Sequence, residues 1–112
     1  MKQSLRLATW LLLIAAFPAG ASSVTGVHVK NIIPNNAGVV QIYLEQPRSG
    51  MPSCATNTPI QLDFSVSTPA GQAILAGLYL AFASDLPIDI SGTGQCDVES
   101  GIESIGYVSV HR

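Results

Sequence analysis

His28 and His111 supply the only imidazoles in the sequence. A hydrolase of the Ser-His-Asp kind needs a serine within reach of a histidine and an acid, and the Gly-x-Ser-x-Gly turn that often presents such a serine is missing from this sequence. Two histidines also fall short of the ligand set of a zinc site. We therefore expect both imidazoles at exposed strand positions, and we predict a protein that is not an enzyme and holds no metal or cofactor.

Three carboxylates, those of Asp97, Glu99 and Glu103, lie close together in the sequence. A glycosidase needs two carboxyl groups that face each other across a cleft, and an EF-hand needs a fixed ligand spacing that this stretch lacks. The stretch has the composition of a turn, so we expect these three side chains to be solvated. The nearby Gly92-x-Gly94 pair is followed by no predicted helix and is not a phosphate-binding loop.

Tyr43 alternates with Gln41 and Glu45 on the polar side of the segment VVQIYLEQ, whose other side is apolar. An exposed aromatic ring between polar side chains is suited to stack against a sugar ring, whereas cross-strand packing is the structural alternative. Tyr107 has the same two interpretations. The candidate ligand-binding residues are therefore Tyr43, Gln41, Glu45 and Tyr107, although no sugar-binding motif surrounds them.

Cys54 and Cys96 are the only cysteines. In an oxidising compartment two such thiols form a disulfide, and closing a loop of about 43 residues contributes about 4 kcal/mol on a chain-entropy estimate. Redox-active pairs usually have the spacing Cys-x-x-Cys, and metal sites need more ligands. The sequence therefore predicts a structural disulfide.

The first 21 residues have the layout of a secretory signal. Lys2 and Arg6 precede an apolar run over residues 7–17, and the small residues Ala19-Gly20-Ala21 follow. The run is shorter than the about 20 residues of a membrane-spanning helix. We predict cleavage after Ala21, a single domain over residues 22–112, a periplasmic or secreted location, and no membrane attachment after cleavage.

Basic residues are few after Ala21: this part of the sequence contains three basic and seven acidic residues. Nucleic-acid binding needs clustered Lys and Arg to neutralise phosphates. Nucleic acid is therefore excluded as the expected partner. The three scattered cations are Lys30, Arg48 and Arg112.

Hydrophobic periodicity predicts the elements that position these residues. Alternating or β-branched segments predict strands over 24–33, 39–46, 60–67, 87–94 and 102–112, with a bulge at Gly106 in the last strand. Thr68 and Pro69 predict the start of a helix that ends near residue 85. Its apolar stripe is Ile74, Leu75, Leu78, Tyr79 and Phe82.

The small residues of this helix favour close packing on the core, and a helix–helix seam in an oligomer is the other interpretation. The predicted element order is three strands, a helix and two strands. That order matches a mainly β, five-stranded OB-like barrel (β-β-β-α-β-β), here with one disulfide. An open α+β sandwich is the alternative.

The segment from Cys54 to His111, with its motifs I-x-G-x-G-x-C and E-S-I-x-Y-V-x-V, resembles a family of small, mostly uncharacterised exported bacterial proteins. Its layout is distantly similar to the OB-fold receptor-binding B subunits of bacterial A–B toxins, especially the subtilase cytotoxin type. The resemblance implies a homo-oligomeric ring that binds a glycan or surface receptor. The alternative is a monomeric periplasmic protein-binding or inhibitor-like structural protein that contacts another exported protein.

Overall fold

A computed structural model describes residues 20–112, so the predicted secretion signal lies outside the described residues apart from Gly20 and Ala21. Residues 20–112 are mainly β with one helix, as predicted. The elements are β1 (Ser23–Val27), β2 (Val29–Pro34), β3 (Val39–Leu44), β4 (Gln61–Ser65), α1 (Pro69–Ala83), β5 (Ile88–Gly92) and β6 (Ile105–Val110).

The predicted first strand is divided in two at His28. Strand β1 ends at Val27 and β2 begins at Val29, and each joins a different sheet. Gly26 has a φ of +64°, a conformation that glycine adopts without strain. The break at His28 gives residues 20–112 six strands where the periodicity predicted five.

The strands form two antiparallel sheets, with the orders β1-β5-β6 and β2-β3-β4. A single parallel bridge between Asp63 of β4 and Ser104, just before β6, joins them on the side away from His28. Residues 20–112 thus contain two three-stranded sheets and no closed barrel, and the finer prediction of an OB-like barrel is not confirmed.

The core lies between the sheets and under the helix. The alternation predicted for β3 is correct, because Val40, Ile42 and Leu44 are buried. The residues between them, Gln41 and Tyr43, are partly exposed. The core cluster comprises Val27, Val29, Val40, Ile42, Leu44, Leu62, Phe64, Leu78, Ala81, Ile88, Ile90 and Ile105.

Helix α1 begins as its sequence predicts. Pro69 lies in the first turn, and the Thr68 hydroxyl oxygen accepts a hydrogen bond of 3.1 Å from a backbone N–H of that turn. The buried stripe is narrower than expected: Leu78 is fully buried, whereas Tyr79 and Phe82 are 45% and 52% exposed. No helix within residues 20–112 is long and apolar enough to cross a membrane.

Strand β6 contains the predicted bulge. Ser91 pairs with Tyr107 and Gly92 pairs with Ile105, so Gly106 is an extra residue on its strand. A Cβ atom at Gly106 would lie 2.9 Å from the carbonyl oxygen of Gly92. The close approach of the two backbones therefore requires glycine here.

The predicted disulfide joins Cys54 to Cys96, whose Cα atoms are 6.0 Å apart. It connects the loop between β3 and β4 to the loop between β5 and β6. The backbone N–H groups of Thr56 and Asn57 both donate to the carbonyl oxygen of Gly101, each at 3.1 Å. The two long loops are thus attached to each other by a covalent bond and by hydrogen bonds.

Candidate binding site

The outer face of sheet β2-β3-β4 carries an open depression of about 290 Å³, lined by Lys30, Asn31 and Tyr43. Strand pairing sets this arrangement, because Tyr43 of β3 lies opposite Asn31 of β2 on one side and Gln61 of β4 on the other. The inward side chains of β3 hold the strand on the core. We call this depression the tyrosine site.

Gln41 lies on the same face, two residues before Tyr43, and is partly buried. Its side-chain amide donates a hydrogen bond of 2.8 Å to Glu99 Oε1. Glu99 belongs to the loop before β6, so the hydrogen bond attaches that loop to the sheet. The amide of Gln41 is thereby held in one orientation beside the tyrosine site.

The tyrosine site offers an aromatic ring, an ammonium group and a carboxamide. The C–H face of a pyranose packs against an aromatic ring, while amide and ammonium groups hydrogen-bond to its hydroxyls. A few convergent polar groups around an apolar surface are typical of small-ligand sites. The arrangement is therefore suited to bind a polar ring-shaped ligand.

The other two candidate residues lie elsewhere. Glu45 follows the end of β3 and lines a second depression of about 320 Å³ together with Phe82 and Asp85. This depression adjoins the tyrosine site, because Lys30 lines both. Tyr107 is 58% exposed on β6, in the other sheet, beside helix α1. The structure thus brings Gln41 and Tyr43 together and separates Tyr107 from them.

A buried polar cluster formed by Ser22, Arg48 and Glu103 lies where β1 begins. We call it the Arg48 cluster. The Arg48 guanidinium donates from Nε to Ser22 Oγ at 2.7 Å, and its Nη2 lies 3.5 Å from Glu103 Oε1. Its Nη1 donates to the carbonyl oxygens of Pro59 and Gln61, both at 2.7 Å. Burial lowers the pKa of Arg48, and the Glu103 carboxylate opposes that shift.

Glu103 departs from the expectation of a solvated acidic turn, because its side chain is fully buried. Its Oε2 accepts backbone N–H hydrogen bonds from Gly94 at 2.9 Å and from Ser22 at 3.2 Å, and its Oε1 accepts the Ser22 hydroxyl. The cluster satisfies the carboxylate that burial would otherwise destabilise. Asp97 is exposed and Glu99 is partly buried.

Asp63 is a second buried acid, on β4 opposite Gln41. Within residues 20–112, no hydrogen-bond donor reaches either of its carboxyl oxygens. Burial is the main cause that raises the pKa of Asp63 to about 7, and the negative charges of Glu99 and Asp97 add to the shift.

The histidines are separate from these groups, each beside an aspartate. His28 Nε2 lies 3.7 Å from Asp85 Oδ1, and His111 Nε2 lies 3.0 Å from Asp89 Oδ2. The hydrogen bond to Asp89 raises the pKa of His111. In the described part of the chain, no three His, Cys, Asp or Glu side chains are placed to hold a metal ion together.

Sequence reasoning missed Lys30 and Asn31 as members of the tyrosine site. Pairing the two strands across the predicted turn at residues 34–38 would have placed Asn31 near Tyr43. It also missed Arg48, because a charged residue in a proline-containing loop without periodicity gives no sign of burial.

Comparison with known proteins adds no relative. No protein-family model matches the chain, and neither the curated proteins nor the solved structures contain a match.

Proposed function

We propose that residues 22–112 form an exported, non-enzymatic binding module that takes a carbohydrate at the tyrosine site. The observation that carries this proposal is the juxtaposition of the Tyr43 ring with the Lys30 ammonium and the Asn31 amide around one open depression. A sugar uses all three groups, since it has both an apolar C–H face and several hydroxyls.

Export is supported by two independent features. The first 21 residues have the charged, apolar and small-residue regions of a secretion signal. The Cys54–Cys96 disulfide belongs in an oxidising compartment. The periplasm and the extracellular space both satisfy these conditions.

We also propose that the two sheets belong to an OB-like barrel and that copies of the protein assemble into a ring like that of toxin B subunits. The strand order supports the barrel, because β1 runs into β2 at His28 and the Asp63–Ser104 bridge brings β4 beside the start of β6. Together with the two sheets, these two links trace a circular strand order. The resemblance to glycan-binding B subunits supports the ring.

A second candidate function is that of a monomeric periplasmic protein-binding or inhibitor-like protein. Three apolar side chains of α1 favour it, because Tyr79, Leu80 and Phe82 are 45%, 57% and 52% exposed. Neighbouring exposed apolar side chains are common at protein interfaces. This candidate predicts a monomer without sugar affinity.

A glycan array probed with the mature, oxidised protein tests the carbohydrate proposal. Tyr43→Ala removes the proposed stacking surface, and Tyr107→Ala is the matched control because it removes another exposed tyrosine from the other sheet. We expect a defined set of glycans to bind the unchanged protein and the Tyr107→Ala variant, and to lose most of the signal with Tyr43→Ala. An empty array, or equal losses in both variants, would contradict carbohydrate binding at the tyrosine site.

A further inference from the structure

Ser22 follows the predicted cleavage point directly, and it is fully buried. Its backbone N–H donates to Glu103 Oε2 at 3.2 Å, and its hydroxyl contacts both Glu103 and Arg48. Its carbonyl oxygen accepts hydrogen bonds from the Gly92 N–H at 2.9 Å and from the Ser91 hydroxyl at 3.1 Å. Every polar group of this residue therefore has a partner, while the preceding Ala21 is exposed.

We propose that Ser22 becomes the first residue of the mature protein and that its new α-ammonium group forms an ion pair with Glu103. In the uncleaved chain the Ser22 nitrogen is an amide. Hydrolysis adds water across the Ala21–Ser22 peptide bond, leaving the carboxylate on Ala21 and the amine on Ser22. The ordinary pKa of an α-amino group is about 7.7–8.0. The Glu103 carboxylate favours the charged form of this amine, whereas burial and the Arg48 guanidinium oppose it.

Glu103 can bind this ammonium group through the hydrogen bond that its Oε2 already accepts from the Ser22 nitrogen. Arg48 and the Ser22 hydroxyl use Glu103 Oε1, whereas Oε2 accepts two backbone N–H groups, from Ser22 and Gly94. Cleavage converts one of these neutral donors into a cation. A charge-assisted hydrogen bond to a carboxylate is roughly twice as strong as a neutral one.

Processing would then stabilise the fold at the point where β1 begins. The ion pair would fix the Ser22 nitrogen at Glu103. The Ser22 carbonyl oxygen already accepts hydrogen bonds from the Gly92 N–H and the Ser91 hydroxyl of β5, so the chain end is held on both sides. A chain that still carries the signal lacks the ammonium and is less stable, which suits a protein that must cross a membrane before it folds. Removal of the signal is thus coupled to the stability of the mature protein.

The first test is to export the full-length chain and determine the first residue of the mature product by N-terminal sequencing. We expect Ser22. Any other first residue would overturn the proposal, because only an amine on Ser22 is placed at Glu103.

The second test compares the mature protein with one carrying a single glycine inserted between Ala21 and Ser22. Cleavage after Ala21 then leaves glycine first, so the Ser22 nitrogen stays an amide. We expect Tm to fall by about 4–8 °C, the shift typical of a moderate destabilisation of a domain this size. In the Glu103→Gln background the same insertion is expected to change Tm by less than about 2 °C. An equal fall in both backgrounds, or no fall in either, would contradict the ion pair.

A chemical probe covers the case in which the Glu103→Gln variant does not fold. Periodate oxidises an N-terminal serine only through its adjacent amine and hydroxyl, and both groups of Ser22 contact Glu103. We expect oxidation of the folded mature protein to be at least about tenfold slower than in urea, as for a group opened only by local unfolding. Equal rates would show that the amine is free, and would overturn the proposal.

Discussion

The buried carboxyl group of Asp63 has no hydrogen-bond donor at either oxygen in the part of the chain that the structure describes. Its pKa is raised to about 7, mainly by burial. Well below pH 4 the side chain is protonated in both the folded and the unfolded protein, so it has no pH-dependent effect on stability. As the pH rises from about 4 to 7, the unfolded protein loses this proton more readily than the folded one, and stability falls.

Asp63→Asn removes this penalty because the amide carries no charge. We expect the variant to be more stable than the unchanged protein at pH 8, by about 2–4 kcal/mol, and nearly equal to it at pH 4. Urea unfolding at the two pH values measures the difference. Glu45→Gln is the control, since Glu45 is exposed and its carboxylate has no ion-pair partner among residues 20–112. A gain of the same size at both pH values would contradict the assigned pKa.

At the scale of the elements, two glycines of helix α1 test its packing. A Cβ atom at Gly71 would lie 1.8 Å from the carbonyl oxygen of Ser65, whereas one at Gly77 would lie 3.5 Å from the Val110 side chain. We expect Gly71→Ala to destabilise the protein by at least about 2 kcal/mol through this clash. Gly77→Ala is expected to be neutral or to stabilise by up to about 1 kcal/mol, because alanine is the better helix former. Thermal unfolding measures the stability change of both variants. Equal changes would contradict the close packing of the start of α1 against Ser65.

The disulfide is the second test at this scale. Reduction, or replacement of Cys54 and Cys96 by serine, is expected to destabilise the domain by up to about 4 kcal/mol. Urea unfolding with and without reductant measures this cost, and the double variant serves as a control that reductant leaves unchanged. If reduction left the unfolding midpoint of the native protein where it was, the disulfide would have no stabilising role.

At the scale of the whole molecule, the ring proposal predicts a native mass of about five protomers for the mature, oxidised protein. Analytical ultracentrifugation at micromolar concentration measures it. A monomer would contradict the ring and favour the second candidate function, although carbohydrate binding at Tyr43 would still require its own test.

The elements followed from the sequence wherever local physical chemistry decides them. Period-two alternation predicted β3 and β4, Thr68 and Pro69 predicted the helix start, and Gly106 predicted the bulge. The break at His28 was missed, because it depends on which sheet each half of the strand joins rather than on local composition.

The sites were harder to predict for the same reason. Alternation placed Gln41 and Tyr43 on one face, but Lys30 and Asn31 reach the site only through the pairing of β2 with β3. The burial of Glu103 depends on Arg48, which is more than fifty residues away along the chain. Contacts between residues so distant in sequence leave no periodic signal.

Carbohydrate affinity at the tyrosine site tests the central claim most directly. The measurement is an isothermal titration of the mature protein, the Tyr43→Ala variant and the Tyr107→Ala variant with the strongest glycan from the array. We predict that Tyr43→Ala weakens binding at least about tenfold, equivalent to about 1.4 kcal/mol, and that Tyr107→Ala leaves the Kd unchanged. Unchanged affinity in Tyr43→Ala would contradict the account, because the sugar would then bind elsewhere on the protein.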